Sequence, residues 1–167
     1  MLDLNKLMRA GAESAEETLA FDLSQEDFGG HAVPQPVTLH YKAVPEGGAV
    51  RLELQVDADI EAPCTRCLET AQQPVHIETS YQIWPQELRE DFPQLPIVKG
   101  GLLDLRELAY GELVIEAPGA ILCKEDCAGL CQSYGKPAAG CDCPAETEGD
   151  PRWQALRDLL KESDDKT

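Results

Sequence analysis

The sequence predicts an α+β domain with an antiparallel β-sheet, for which a barrel-like form is one option, a cysteine metal knuckle and a short C-terminal helix. Three observations lead to this prediction. A dozen residues from Val50 onward alternate between apolar and polar side chains, as in a half-buried antiparallel strand. Turn residues separate this run from similar runs on either side. Five of the seven cysteines lie between residues 123 and 143, and the other two form Cys64-Thr-Arg-Cys67.

The N-terminal and central segments predict four elements. Apolar spacing suggests one short helix near Leu4–Met8 and a strand near Leu19–Leu23, with the acidic run Ala12–Glu17 between them as a loop or loose helix. Val37–Ala43 alternates as a strand and is followed by a proline- and glycine-containing turn. The longest alternating run is Val50–Glu61.

A third central strand is predicted over residues 74–84, so that Cys64-Thr-Arg-Cys67 lies in the chain reversal that precedes it. Residues 85–101 predict an irregular connection because they hold three prolines and two glycines. Asp104 and Glu107 are spaced as a capping box, which predicts a helix with an apolar face from Leu105 to Leu113.

The C-terminal part predicts a domain boundary. We expect a single domain over 1–143 that includes the cysteine-rich segment 123–143, followed by a linker at 144–149. Asp150-Pro151 is a good helix start, and it predicts a helix over 150–161 with a disordered tail at 162–167.

The net charge of −17 limits the class of partner. Nucleic-acid affinity comes largely from lysine and arginine, so the average surface repels a phosphate backbone and attracts basic proteins. The N-terminus carries charges too early for a secretory signal, and no apolar window is long enough to span a membrane. With an odd number of cysteines, these features favour a reducing cytoplasm.

The clustered cysteines predict a metal site. Two pairs with the spacing C-x2-C and C-x3-C can bind one tetrahedral ion, and a structural zinc is the favoured interpretation. Three alternatives stay open: buried free cysteines, a redox C-x-x-C, and an iron centre of the rubredoxin type. Arg66, between the first pair, is expected to be exposed.

No catalytic constellation is present in the sequence, so we expect that the protein is not an enzyme. Its three histidines, His31, His40 and His76, are dispersed, and the last two fall on the polar faces of predicted strands. There is no nucleophile elbow, Walker loop or dinucleotide fingerprint.

Three segments together resemble the YceD family of large ribosomal RNA subunit accumulation proteins. They are Cys-Thr-Arg-Cys-Leu-Glu after an alternating strand, Leu-Asp-Leu-Arg-Glu-Leu, and Ile-Leu-Cys-Lys-Glu-Asp-Cys-Ala-Gly-Leu-Cys; the closing Asp-Pro-Arg-Trp also fits. The resemblance implies a cytoplasmic, non-enzymatic factor that supports 23S ribosomal RNA accumulation and large-subunit biogenesis. A basic ribosomal protein or assembly factor is then the expected partner, with RNA contact indirect.

The resemblance also guides the choice of metal ligands. The family pattern continues Gly-Leu-Cys-x-x-Cys-Gly, whereas this chain has Tyr134 in place of the last cysteine. The ligand set we infer is Cys64, Cys67, Cys123 and Cys127. Cys131, Cys141 and Cys143 are alternatives or the remnant of a second cluster, and a mixed set with Cys131 is the nearest rival. A direct RNA-binding zinc module and a thiol redox sensor are the alternative functions.

Overall fold

A computed structural model describes residues 1–89, 94–131, 135 and 138. The chain divides into two compact units, Met1–Cys127 and Ala128–Thr167, and the architecture below is that of the first. The predicted linker at 144–149, helix at 150–161 and tail at 162–167 lie outside the described residues, and the domain over 1–143 stays a prediction.

The first unit contains seven strands, two α-helices and one 3₁₀ turn among its described residues. In chain order these are β1 (Leu2–Asp3), α1 (Leu4–Leu7), β2 (Ala15–Phe21), β3 (Val37–Glu46), β4 (Ala49–Pro63), β5 (Thr70–Ile83), the 3₁₀ turn Glu87–Arg89, β6 (Ile97–Val98), β7 (Leu102–Leu103) and α2 (Leu105–Glu116).

The main sheet is an antiparallel meander of four strands in the order β2-β3-β4-β5. The two outer strands, β2 and β5, do not pair with each other, so the sheet is open. The prediction of an antiparallel sheet is confirmed, but a barrel-like form is not supported, because a barrel needs its first and last strands to join.

A two-residue loop joins β3 to β4. Gly47 and Gly48 both have positive φ angles, of 60° and 86°, and the strands pair up to Glu46 opposite Ala49. A type I′ turn needs positive φ at both central residues, so the two glycines allow the tightest hairpin and set the register of the long strands.

Strand β4 shows the predicted alternation. Its inner side chains form the centre of the core: Val50, Leu52, Leu54, Val56 and Ile60 are each at most 2% exposed. Its polar side chains form an open face on the other side of the sheet, where Glu53 and Asp57 are exposed. His40 and His76 lie on this face as expected, bonded to Thr18 and Asp57 respectively.

Two strands begin earlier than their patterns predict. Strand β2 starts at Ala15, inside the acidic run that was expected to be a loop or loose helix, and β5 starts at Thr70 rather than 74. In both cases the neighbouring strand supplies backbone hydrogen bonds, which outweigh a weak local preference.

The second, small sheet has the order β1-β7-β6 and leads into α2. Asp104 caps the helix, because its side chain accepts hydrogen bonds from the backbone N–H groups of Arg106 and Glu107. The predicted helix is therefore confirmed. Its Glu112 is buried at 7% exposure and accepts a hydrogen bond from the Tyr81 hydroxyl on β5.

Candidate metal centre

The first arm of the site is the loop that joins β4 to β5. The Cys64 N–H donates to the Glu69 carbonyl at 2.8 Å, which extends the strand ladder by one step. The Leu68 N–H donates a hydrogen bond to the Cys64 carbonyl at 2.9 Å and closes a tight turn. Leu68 itself has a left-handed φ of 64°. This tight turn brings Cys64 and Cys67 to the same side of the loop.

The second arm follows α2 and runs from Ile121 to Cys127. Ile121 is 1% exposed and anchors the arm in the core. A turn closed by the Cys127 N–H and the Lys124 carbonyl, at 3.2 Å, brings Cys123 and Cys127 close together. The arm therefore presents its own pair of thiols.

Hydrogen bonds from the first arm to backbone carbonyls of the second arm join the two. The Thr65 N–H donates to the Ile121 carbonyl at 2.9 Å, and the Arg66 guanidinium donates to the carbonyls of Cys127 at 3.1 Å and Glu125 at 3.4 Å. These bonds hold the two arms side by side, with their pairs of thiols facing each other.

The four sulfurs that result lie within 4.8 Å of one another. The Sγ–Sγ distance is 3.8 Å between Cys64 and Cys127 and 3.6 Å between Cys67 and Cys123. A zinc–sulfur bond of about 2.3 Å gives a tetrahedral edge of about 3.8 Å, so these distances suit one ion. A disulfide would need about 2.05 Å, and the thiols of Cys64, Cys67, Cys123 and Cys127 are free.

The electrostatics of the cluster allow one thiolate more readily than several. The pKa of Cys64 is lowered to about 6, chiefly because its sulfur accepts the Cys123 backbone N–H, with those of Arg66 and Cys67 adding to the effect. The pKa of Cys123 is raised to about 12, first by its hydrogen bond with Cys127 and then by that with Cys67. A divalent cation would relieve the electrostatic repulsion between thiolates at this site.

The residues present therefore fit a tetrahedral, thiolate-binding metal ion. Cys64, Cys67 and Cys127 are buried and Cys123 is exposed. Such a set leaves no open position on the ion, which is the arrangement of a structural site. Among the described residues Cys131 is not one of the four, and Cys141 and Cys143 lie outside the described residues.

Sequence reasoning missed the two side chains that align the arms. Arg66 is exposed, as expected, but its guanidinium is held by carbonyls of the second arm. The partner of Thr65 lies 56 positions away, so no local pattern could reveal it. The buried Glu112 did leave a signal, because it lies four residues after Leu108 on the apolar stripe of α2.

Tyr110 and His31 make contacts that do not involve the four clustered cysteines. Tyr110 donates to the Asp27 carbonyl and packs edge-to-face on Phe28 with ring centroids 5.2 Å apart. His31 bonds the carbonyls of Phe28 and Pro118. No described helix is long and apolar enough to cross a membrane.

Comparison with known proteins supports the family resemblance. The model of the YceD family, described as large ribosomal RNA subunit accumulation protein, matches residues 52–160. Uncharacterised proteins of Mycobacterium bovis and of two strains of Mycobacterium tuberculosis are each 25% identical over 144 residues, covering 76% of this chain and 70% of theirs. No solved structure matches. Since the family model covers more than half of the sequence, including both arms of the cysteine cluster, this chain belongs to the YceD family.

Proposed function

We propose that this protein is a non-enzymatic cytoplasmic factor that supports accumulation of 23S ribosomal RNA and biogenesis of the large ribosomal subunit. The observation that carries the proposal is membership of the YceD family, whose description names large-subunit ribosomal RNA accumulation. A structural zinc ion and a basic protein partner complete the proposal.

The zinc would be held by Cys64, Cys67, Cys123 and Cys127. The sulfur distances of 3.6 and 3.8 Å support this assignment, as does the closure of the site by four protein ligands. In this role the ion stabilises the junction between the β4–β5 loop and the 121–127 arm, and it supplies no chemistry. Zinc is favoured over iron because no other feature of the chain is typical of electron transfer.

A basic ribosomal protein or assembly factor would be the direct partner. The chain carries 31 acidic and 14 basic side chains, and its open sheet face carries exposed carboxylates such as Glu53, Asp57 and Glu78. The arginine nearest to the cysteines, Arg66, already bonds two backbone carbonyls. These features favour contact with a cationic protein over direct contact with RNA.

Sedimentation tests the proposal. We expect tagged protein from a lysate to migrate with precursors of the large subunit in a sucrose gradient, and depletion of the protein to lower 23S relative to 16S ribosomal RNA. Absence from every precursor fraction together with normal 23S levels would refute the function. Loss of the association after mild ribonuclease treatment, with ribosomal proteins still bound to one another, would indicate RNA as the direct partner.

A thiol redox sensor is the second candidate, favoured by the lowered pKa of Cys64 and by its sulfur lying 3.8 Å from that of Cys127. Reactive cysteines are typically both acidic and accessible, whereas Cys64 is fully buried. Mass measurement with and without reductant separates the candidates. A sensor would show a labile 2 Da difference and no bound metal, and a structural site would show one zinc per chain and no such difference.

A further inference from the structure

The outer edge of β5 is the feature of the main sheet that the proposed function does not explain. Strand β5 is 14 residues long, and within residues 1–89 and 94–131 no strand pairs with its outer side. Long edge strands are usually protected by lysines, prolines or bulges, because they offer unpaired backbone groups to other chains. Here Pro74 is the only such residue, and no lysine is present in the strand.

The hydrogen bonds of one residue on β4 show which groups face this edge. The backbone N–H and C=O of Glu61 both bond to Ala32, at 2.8 Å each, on the side away from β5. Glu61 and its β5 partner Gln72 are therefore a non-hydrogen-bonded pair, and such pairs alternate along a regular antiparallel ladder. The residues of β5 that turn their backbone groups outward are Gln72, Pro74, His76, Glu78, Ser80 and Gln82.

The assignment of the even-numbered residues of β5 as outward-facing agrees with the position of Pro74. A proline has no N–H to donate, and within a sheet it is tolerated where its nitrogen faces an open edge. Beyond Pro74, the nine residues 75–83 contain neither proline nor glycine, and the register to β4 is continuous. The strand therefore offers an uninterrupted template about nine residues long.

Charge indicates what kind of strand this edge would accept. The outward-facing residues place their side chains on the polar face, where Asp57 and Glu78 are 59% and 65% exposed and Glu53 lies beside Ser80. A paired strand would lie about 4.8 Å beyond β5. Lysine or arginine side chains on that strand could then reach these carboxylates. On the inner face, the half-buried Val75 and Tyr81 would contact the alternate side chains of that strand.

We infer that β5 is a docking edge for an extended, basic segment of a partner protein, in which lysine or arginine alternates with apolar residues and which pairs antiparallel with residues 75–83. Backbone hydrogen bonds would supply affinity, and the acidic face would select for positive charge. The inference rests on the proposed function in one respect, namely that the partner is a basic ribosomal or assembly protein.

A designed peptide tests the edge directly on the purified full-length, zinc-loaded protein. The probe is a fluorescein-labelled nine-residue peptide with lysine at even positions and valine or threonine at odd positions, and binding is followed by fluorescence anisotropy. In antiparallel pairing with residues 75–83 these lysines lie opposite the outward-facing residues 76, 78, 80 and 82 and direct their own N–H groups to β5, so N-methylation of the lysine amide at position 4, opposite Ser80, should weaken binding on the order of tenfold or more. N-methylation of a neighbouring valine, whose amide faces away, should change it less than about twofold.

Ser80→Pro removes one outward N–H but none of the backbone hydrogen bonds between β5 and β4. Ser80→Thr is its matched control. We expect the proline variant to bind the peptide on the order of tenfold more weakly and the threonine variant to bind like the parent, with similar thermal unfolding of all three proteins. Glu78→Gln should weaken binding and reduce its salt dependence.

Three results would overturn the inference. They are equal binding of both N-methylated peptides, parent-like binding by Ser80→Pro, and a parent dimer that becomes monomeric in Ser80→Pro, since a second copy would then occupy the edge. The peptide assay needs no ribosomal material, so it can fail while the parent protein still sediments with large-subunit precursors. Conversely, peptide binding by a protein that is absent from every precursor fraction, with normal 23S levels after its depletion, would refute the proposed function and still support the docking edge.

Discussion

Zinc binding should stabilise the contact between the two cysteine arms selectively, and amide hydrogen exchange can measure this. Of the hydrogen bonds between protein groups that join the arms, three run from the Thr65 N–H and the Arg66 guanidinium to carbonyls of the second arm. At about 1 kcal/mol each they contribute about 3 kcal/mol, equivalent to roughly a hundredfold protection of the Thr65 amide. Zinc at 100 times its Kd adds about 2.7 kcal/mol to the state that binds it.

We therefore expect exchange of the Thr65 amide to slow by roughly a further hundredfold when zinc is added to chelator-treated protein. The amide of Ala12 is the internal control, because it donates to the Arg9 carbonyl at 3.1 Å in the N-terminal segment and exchanges by a local opening that leaves both arms intact. Its exchange should change by less than about threefold if the metal acts locally. Equal exchange of Thr65 with and without zinc would show that the metal does not bridge the arms.

Three further predictions concern the metal ligands, the buried carboxylate and the hairpin turn. Elemental analysis should find one zinc per chain in the parent and in Cys131→Ser but a substoichiometric amount in Cys64→Ser, because only the latter removes one of the four clustered sulfurs. Tyr81→Phe should lower the free energy of unfolding in urea by about 1–3 kcal/mol, since it deprives the buried Glu112 of its hydrogen-bond donor. Gly48→Ala should cost about 1–2 kcal/mol, because its φ of 86° is unfavourable for alanine.

The zinc and glycine predictions can each be contradicted by a matched variant. Full zinc content in Cys64→Ser with loss in Cys131→Ser would replace our ligand set by the mixed one. Gly119→Ala should change the unfolding free energy by less than about 0.5 kcal/mol, because Gly119 has no positive φ and no atom near its Cβ position. A similar cost at both glycines would argue against the strained turn.

The Tyr81 hydroxyl also makes stability depend on alkaline pH. Burial first, and then the hydrogen bond and charge of Glu112, raise the pKa of Tyr81 from 10 to about 12. The folded state therefore holds this proton more tightly than the unfolded state, so the stabilisation is complete below pH 10 and is lost as the pH rises toward 12. The urea stability of Tyr81→Phe should fall less steeply across this interval than that of the parent, and parallel curves would contradict the assignment.

Local patterns in the sequence were sufficient for the elements that are determined by nearby residues. The alternation in β4, the Gly47-Gly48 turn and the Asp104 cap each depend on side chains within a few positions, and all three appear in the structure. The patterns were insufficient for the start of β5, whose residues 70–74 are mostly polar and become a strand because β4 pairs with them. The barrel-like option failed for the same reason, since closure depends on contacts between the first and last strands.

By itself, the sequence determined the chemical character of this protein: its acidity, its antiparallel strands and its paired cysteines, all of which follow from composition and short-range periodicity. Only the tertiary structure decided which thiols meet, because Cys64 and Cys127 are 63 positions apart and approach to 3.8 Å through two loops joined by the Thr65 and Arg66 hydrogen bonds. It also decided that no strand within residues 1–89 and 94–131 pairs with the outer side of β5, and which backbone groups of β5 face outward. Both outcomes depend on which segments of the chain pack together, and no local pattern encodes that choice.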